Sequence, residues 1–283
     1  MASFTNFATL SYNGGTTNSN IVTGEILEAL TAVKTAVSAN YSAGDRITYA
    51  LSLVNTGTTA VTDYTVTDNL GGYTVGANTV YPLAYNAGTV RYYINGVLQA
   101  APAVTAGPPL TVTGLTVPAG GNAVLIYETT ATNVAPLATG SSITNTATIT
   151  GGGLTNPITA QATVETANSA DLTISKALSP TTVTENGQIT YTFVISNTGN
   201  TEATAADNVI VTDTFDPILR NIAVTYNGTA WTEGTNYTYN ATTGVFATQA
   251  GQITVPAASF TQNADGTFTV TPGTATLVIT GTI

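Results

Sequence analysis

Apolar and polar residues alternate along this chain in short runs. ITYALSLV from Ile47, DYTVTDNL from Asp63 and GNAVLIYETTAT from Gly121 each follow a period of two, and turn residues such as Asn-Thr-Gly and Gly-Gly separate such runs. A period of two is the signature of a strand with one buried face. Strands repeated at short, regular spacing predict an antiparallel sandwich or barrel. The stretch GEILEALTAVKTAV from Gly24 has some helical character, but its match to DLTISKALSP from Asp171 argues for a strand.

That match belongs to a longer internal repeat. Leu30-Thr-Ala-Val-Lys34 pairs with Leu172-Thr-Ile-Ser-Lys176, and Ile47-Thr-Tyr49 with Ile189-Thr-Tyr191. Asn55-Thr-Gly57 then pairs with Asn197-Thr-Gly199. Val66-Thr-Asp68 follows with Val211-Thr-Asp213 after a small insertion. Stations in the same order mark two copies of one domain. The expected architecture is all-β: two tandem immunoglobulin-like sandwiches, residues 28–167 and 168–283, preceded by an N-terminal donor β-hairpin over residues 1–27.

The hairpin reading comes from the end of the first copy. ITNTATIT from Ile143, a GGGLTNP turn and ITAQATV from Ile158 form a closing hairpin. FTNFATLS from Phe4, an NGGTTNSN turn and IVTGEI from Ile21 resemble it at the N-terminus. The second copy ends at ATLVITGTI, which aligns with the segment just before that hairpin. The second copy is therefore expected to lack closing strands, leaving an open edge prone to pairing. The N-terminal hairpin of another molecule could fill it by strand addition, and such head-to-tail contacts propagate as a fibre. Residues 4–26 packed into their own second domain, or hanging free, would leave this polymer reading without support.

Composition narrows the function. Charged residues make up 7% of the chain, net charge is −10, and the cations are Lys34, Arg46, Arg91, Lys176 and Arg220. Too few cations are present for a stripe that neutralises phosphates, so no nucleic-acid partner is expected. Sparse charge also weakens repulsion between copies. The chain has no Cys and no His, which excludes disulfides, Cys/His zinc sites and Ser-His-Asp triads. No apolar run approaches a membrane span, and residues 1–20 lack the charge and apolar core of a secretory signal. No metal, cofactor or membrane insertion is expected.

Candidate chemistry follows from assigning faces. Lys34 shares a strand face with Leu30, Ala32 and Ala36, and Lys176 with Leu172, Ile174 and Leu178. Asp68 follows Tyr64 and Val66, Asp213 follows Val209 and Val211, and Asn145 lies among Ile143, Ala147 and Ile149. Asn6 lies among Phe4, Ala8 and Leu10. A Lys, an Asp and an Asn thus point inward in the first copy, and the same trio in the second needs Asn6. An apolar site favours the neutral amine, a nucleophile, and the protonated acid, which can shuttle protons. Attack on the Asn amide would give a Lys–Asn isopeptide bond. A buried ion pair hydrogen-bonded to Asn, without a covalent bond, is the alternative. Glu128 is a second candidate acid in the first copy, with Gly281 taken as its counterpart. Trp231 with Tyr226, Tyr237 and Tyr239 reads as hairpin packing rather than a sugar-stacking patch.

The pattern DLTISKALSP…GQITYTFVISNTGN…NVIVTDTFDP, closed by ITNTATIT, resembles the conserved-repeat domain of bacterial surface proteins, a domain of unknown function found in tandem arrays. The resemblance implies an immunoglobulin-like sandwich on a cell wall, surface layer or spore surface. The chain is also similar in style to isopeptide-forming domains of pili and collagen adhesins. That similarity assigns the bond to Lys34 and Asn145 with Asp68, and to Lys176 and Asn6 with Asp213. The expected function is a non-enzymatic subunit of an extracellular, pilus-like filament or spore appendage. Its expected partners are other copies of itself and host or cell-wall surfaces. The alternative is an adhesin or stalk module from a longer array.

Overall fold

A computed structural model describes residues 2–26 and 29–283. The domain boundary expected between residues 27 and 28 lies outside the described residues. The chain divides into two compact units: residues 1–135 with 142–165, and residues 136–141 with 166–283. Apart from a 3-10 turn at Ala205–Asp207, the regular structure is β.

Four short strands form an N-terminal ribbon: β1 (Ala2–Asn6), β2 (Thr9–Tyr12), β3 (Gly15–Asn18) and β4 (Val22–Ile26). Strand β1 pairs with β4 and β2 with β3, and neither pair joins a larger sheet. Phe4, Phe7, Leu10, Tyr12, Ile21 and Val22 all stand exposed. Gly24 faces Phe4 across the ribbon, where a Cβ would fall 2.4 Å from the ring. The stretch with helical character is extended over its described part, as β4 and β5.

The body of the first unit runs through β5 (Leu30–Ala36), β6 (Asn40–Tyr41), β7 (Arg46–Asn55), β8 (Val61–Asp68), β9 (Tyr73–Val75), β10 (Asn78–Val80), β11 (Leu83–Tyr85), β12 (Arg91–Ile94), β13 (Val97–Leu98), β14 (Ala103–Thr105), β15 (Leu110–Val117), β16 (Asn122–Ala131), β17 (Ser142–Gly151) and β18 (Ile158–Thr166). Two six-stranded sheets result. One has the order β13-β12-β16-β7-β5, with β11 also on β16, and the other β14-β15-β8-β17-β18-β6. Their alternating faces supply the core: Ile47, Tyr49, Leu51 and Leu53 from β7, and Ile143, Ala147 and Ile149 from β17 are buried. This is the two-layer sandwich that period-two patterning dictates.

The second unit contains β19 (Leu172–Ser179), β20 (Gln188–Asn197), β21 (Thr212–Thr214), β22 (Arg220–Tyr226), β23 (Thr229–Trp231), β24 (Tyr237–Asn240), β25 (Val245–Thr248), β26 (Ser259–Gln262), β27 (Phe268–Thr271) and β28 (Gly273–Thr282). A five-stranded sheet, β19-β20-β28-β22-β23, corresponds to the β5 sheet of the first unit. Opposing it is only the three-stranded β21-β25-β24. The inserted residues form the 3-10 turn at 205–207, and β21 is shorter than its counterpart β8. In both units the Asn-Thr-Gly station is a side-chain-locked turn. Asn55 and Asn197 are buried, and their amides accept from the glycine two residues on and donate to backbone carbonyls.

Candidate isopeptide site

Strand β5 places Lys34 beneath the opposing sheet, and β8 brings Asp68 to meet it. Lys34 Nζ lies 2.5 Å from Asp68 Oδ2, and the two side chains are 0% and 1% exposed. The other carboxylate oxygen accepts the Leu70 N–H at 2.9 Å. The Tyr127 hydroxyl also donates to Asp68 Oδ2. The ammonium sits 4.8 Å from the ring centre of Tyr49 and 5.9 Å from that of Tyr127, and the two rings lie 5.8 Å apart.

Asn145 enters from β17, two residues before Ala147, which stands opposite Asp68. It is fully buried, and neither atom of its amide makes a hydrogen bond. Its amide nevertheless lies close enough to Tyr49 and Tyr127 to favour their ionised forms; contact is made, but in poor bonding geometry. A buried amide without partners costs about 1–3 kcal/mol for each group left unsatisfied.

Burial dominates the titration of this cluster. It lowers the Lys34 pKa to about 8, against the opposing pull of the Asp68 charge and hydrogen bond. Burial, followed by the Asp68 charge, raises the Tyr49 and Tyr127 hydroxyls above the ordinary phenol range. The arrangement offers an amine whose charge is disfavoured by burial, an acid in contact with it, and a buried amide close to the two tyrosines that flank the pair.

The second unit repeats the pair in an open setting. Lys176 Nζ is 2.5 Å from Asp213 Oδ2, with side chains 41% and 17% exposed. Lys176 lies over Tyr191, Phe193 and Phe215, at 4.5, 5.4 and 5.5 Å from their ring centres. Asn6 stands exposed on the ribbon, outside the second unit.

Tyr49 and Tyr127 are the residues that sequence reasoning missed. Both alternate with buried neighbours, Ile47 and Leu51 for one, Leu125 and Thr129 for the other, and an inward tyrosine needs a partner for its hydroxyl. Glu128 is not part of the site: it is partly exposed and pairs with Arg46 at 3.6 Å. The register also corrects its counterpart. Glu128 faces Thr48 and Thr280 faces Thr190, so the equivalent position is Thr280, not Gly281. Trp231 stacks on Tyr226 at 4.8 Å, and Tyr237 stacks on Phe246 at 5.4 Å. Among the described residues no cluster of metal-ligating side chains occurs, and no helix is long and apolar enough to cross a membrane.

Among solved structures, the chain is similar to the major pilin subunit BcpA of Bacillus cereus, with 14% identity over 96% of this chain and 73% of that one, at a TM-score of 0.35. It is also similar to a C-terminal fragment of the major pilin GBS80 of Streptococcus agalactiae, with 14% identity over 87% of each chain and a TM-score of 0.37. The pilus backbone RrgB of Streptococcus pneumoniae matches at 11% identity over 86% of this chain and 55% of that one, with a TM-score of 0.34. No curated protein matches the sequence. Residues 176–276, which begin at the second lysine and take in most of the second unit, match the family described as BatD DUF11 like domain.

Proposed function

We propose that this chain is a non-enzymatic structural subunit of an extracellular surface fibre. Subunits join head to tail: the N-terminal ribbon of one copy completes the second sandwich of the next, and Lys–Asn isopeptide bonds lock the assembly. In this reading the first unit carries the internal bond, Lys34 to Asn145, and each junction carries Lys176 to Asn6. Asp68 and Asp213 relay the protons.

The observation that carries the reading is the contrast between two equivalent ion pairs. The first is sealed by β17 and β18, and the second is half open where such strands would lie. The ribbon repeats the pattern of β17, with Asn6 at the place of Asn145. A free ribbon taken alone counts against polymerisation on the sequence reading, and among the described residues the ribbon strands pair only with one another. Support comes instead from the acceptor, where Ile174 and Ile210 of the apolar groove stand exposed to water. Full burial of each large apolar side chain there is worth about 1.5–3 kcal/mol.

A second reading, a stalk or adhesin module within a longer tandem array, draws on the same ribbon, which would close a preceding domain. Negative-stain microscopy and size-exclusion chromatography of the purified chain separate the two. Filaments that give a ladder after boiling in detergent support the fibre subunit. A monodisperse monomer at high concentration supports the array module.

A further inference from the structure

In the first unit β8 is paired along both edges, by β15 on one side and β17 on the other. Ala147 stands opposite Asp68, Ile149 opposite Val66 and Gly151 opposite Tyr64. In the second unit, among the described residues, β21 pairs only with β25. Beside β21, Leu172, Ile174, Ile195, Val209 and Val211 line an apolar groove. Ile174 is 55% exposed within it.

The ribbon carries a matching strand. Asn6, Ala8, Leu10 and Tyr12 repeat the spacing of Asn145, Ala147, Ile149 and Gly151. The ribbon register runs Asn6 to Val22 and then Thr9 to Asn18. Residues 7–8 therefore face residues 19–21, and the extra residue falls on the returning segment as a bulge. The outgoing strand stays in phase, so Phe4, Asn6, Ala8, Leu10 and Tyr12 share one face. Leu10 is 64% exposed on it.

We propose that the groove of the second unit takes residues 4–12 of a second copy antiparallel to β21, with Ala8 opposite Asp213, Leu10 opposite Val211 and Tyr12 opposite Val209, and that this closure is what arms Lys176 for attack on Asn6. The inference rests on the fibre reading and adds a register and an order of events to it. In the free subunit the Lys176–Asp213 pair faces water, and three aromatic faces favour the cation. Tyr127, which donates to the first carboxylate, is replaced by Ile279 at the corresponding register position. Inserting the donor seats Leu10 in the groove and excludes water from the pair. Burial then disfavours the ammonium, as it does at Lys34.

The neutral amine attacks Asn6 Cγ, a new C–N bond forms and the C–Nδ2 bond breaks. The Asp213 carboxyl carries a proton from the attacking nitrogen to the departing one, which leaves as ammonia. No oxidant or other reactant is consumed. Docking thus precedes locking, so a strand seated out of register can leave before it is bonded.

Cysteine pairs test the register cleanly, because the chain contains no cysteine of its own. Chains carrying Leu10→Cys and Val211→Cys, both with Asn6→Ala, are mixed under mild oxidation. A disulfide-linked pair is expected, and none when Ile210→Cys replaces Val211→Cys. The second arm labels lysines of the Asn6→Ala chain with an acylating reagent. Lys176 should be labelled in dilute subunits and protected about tenfold or more in assembled ones. Filaments that form without the Leu10–Val211 disulfide overturn the register and leave the fibre reading standing. Equal labelling in both states overturns the arming step. A disulfide formed within a dilute monomer carrying both cysteines shows that the occupant is the chain's own ribbon. Absence of both filaments and disulfides overturns the fibre reading as well.

Discussion

At Lys34, burial and the Asp68 carboxylate pull the amine in opposite directions, and burial wins. The reactive arrangement, neutral amine with protonated acid, holds the same number of protons as the ion pair. The rate of ammonia release on refolding is therefore expected to be flat around neutrality and to fall above about pH 8, as the shared proton is lost. Intact mass against time at several pH values checks this. A rate that climbs to a plateau above that pH would show that Asp68 relays no proton. Asp68→Asn and Asn145→Ala should each abolish the loss of ammonia from the first unit. In the Asn145→Ala chain, unfolded Lys34 stays charged up to the ordinary value of 10.5, while folded Lys34 sheds its proton from about 8. The penalty of burying the charge is present below that window and relieved across it, so stability should rise with pH there. The raised Tyr49 and Tyr127 hydroxyls act the other way above the ordinary phenol range, where the unfolded chain ionises first. Urea titrations at stepped pH read both limbs.

Among the strands, β21 and the ribbon are the elements whose backbone lacks the partners that their counterparts have. Strand β8 is held between β15 and β17, whereas β21 has β25 alone. An unpaired edge beside an apolar groove is a template for one more strand. Placing a charge in that groove costs several times what the lost leucine contributes. Leu10→Asp should therefore abolish filaments, while the outward-facing Ser11→Asp should leave them intact; light scattering and negative-stain images distinguish the two. Deletion of residues 2–26 should give a monomer whose circular dichroism keeps its β signature, because among the described residues the ribbon strands pair as β1 with β4 and β2 with β3 and the large sheets are built without them.

For the whole molecule, two compact units in one chain mean two unfolding steps when the units are not coupled. A Lys34–Asn145 bond would join β5 to β17 and close a loop of roughly a hundred residues, worth about 4–5 kcal/mol by analogy with a disulfide of that span. In calorimetry of the monomer, Asn145→Ala should lower one transition and leave the other in place. Mass balance gives a further check. The monomer should lack one ammonia, and each covalent junction in the fibre should cost one more. Lys176→Ala should remove the detergent-resistant ladder and leave the monomer's loss unchanged.

Much of this architecture was legible in the residues alone. Alternation assigned Lys34, Asp68 and Asn145 to inward faces, and the repeated stations paired Lys176 with Asp213, because the face a strand residue takes depends only on its local period. The Tyr127 hydrogen bond to Asp68 and the Arg46 partner of Glu128 were not legible, since both depend on where strands distant in sequence come to lie. Nor does local pattern separate the two lysines. Lys34 and Lys176 occupy equivalent stations with similar neighbours, yet one is sealed and the other is half open. Burial is set by the strands that cover a face, and β17 and β18 cover one lysine while this chain lays no such pair over the other. Sequence therefore determined the duplicated β framework and the inward set of polar residues. Tertiary structure decided which ion pair is dry, because strands distant in sequence set what covers a face.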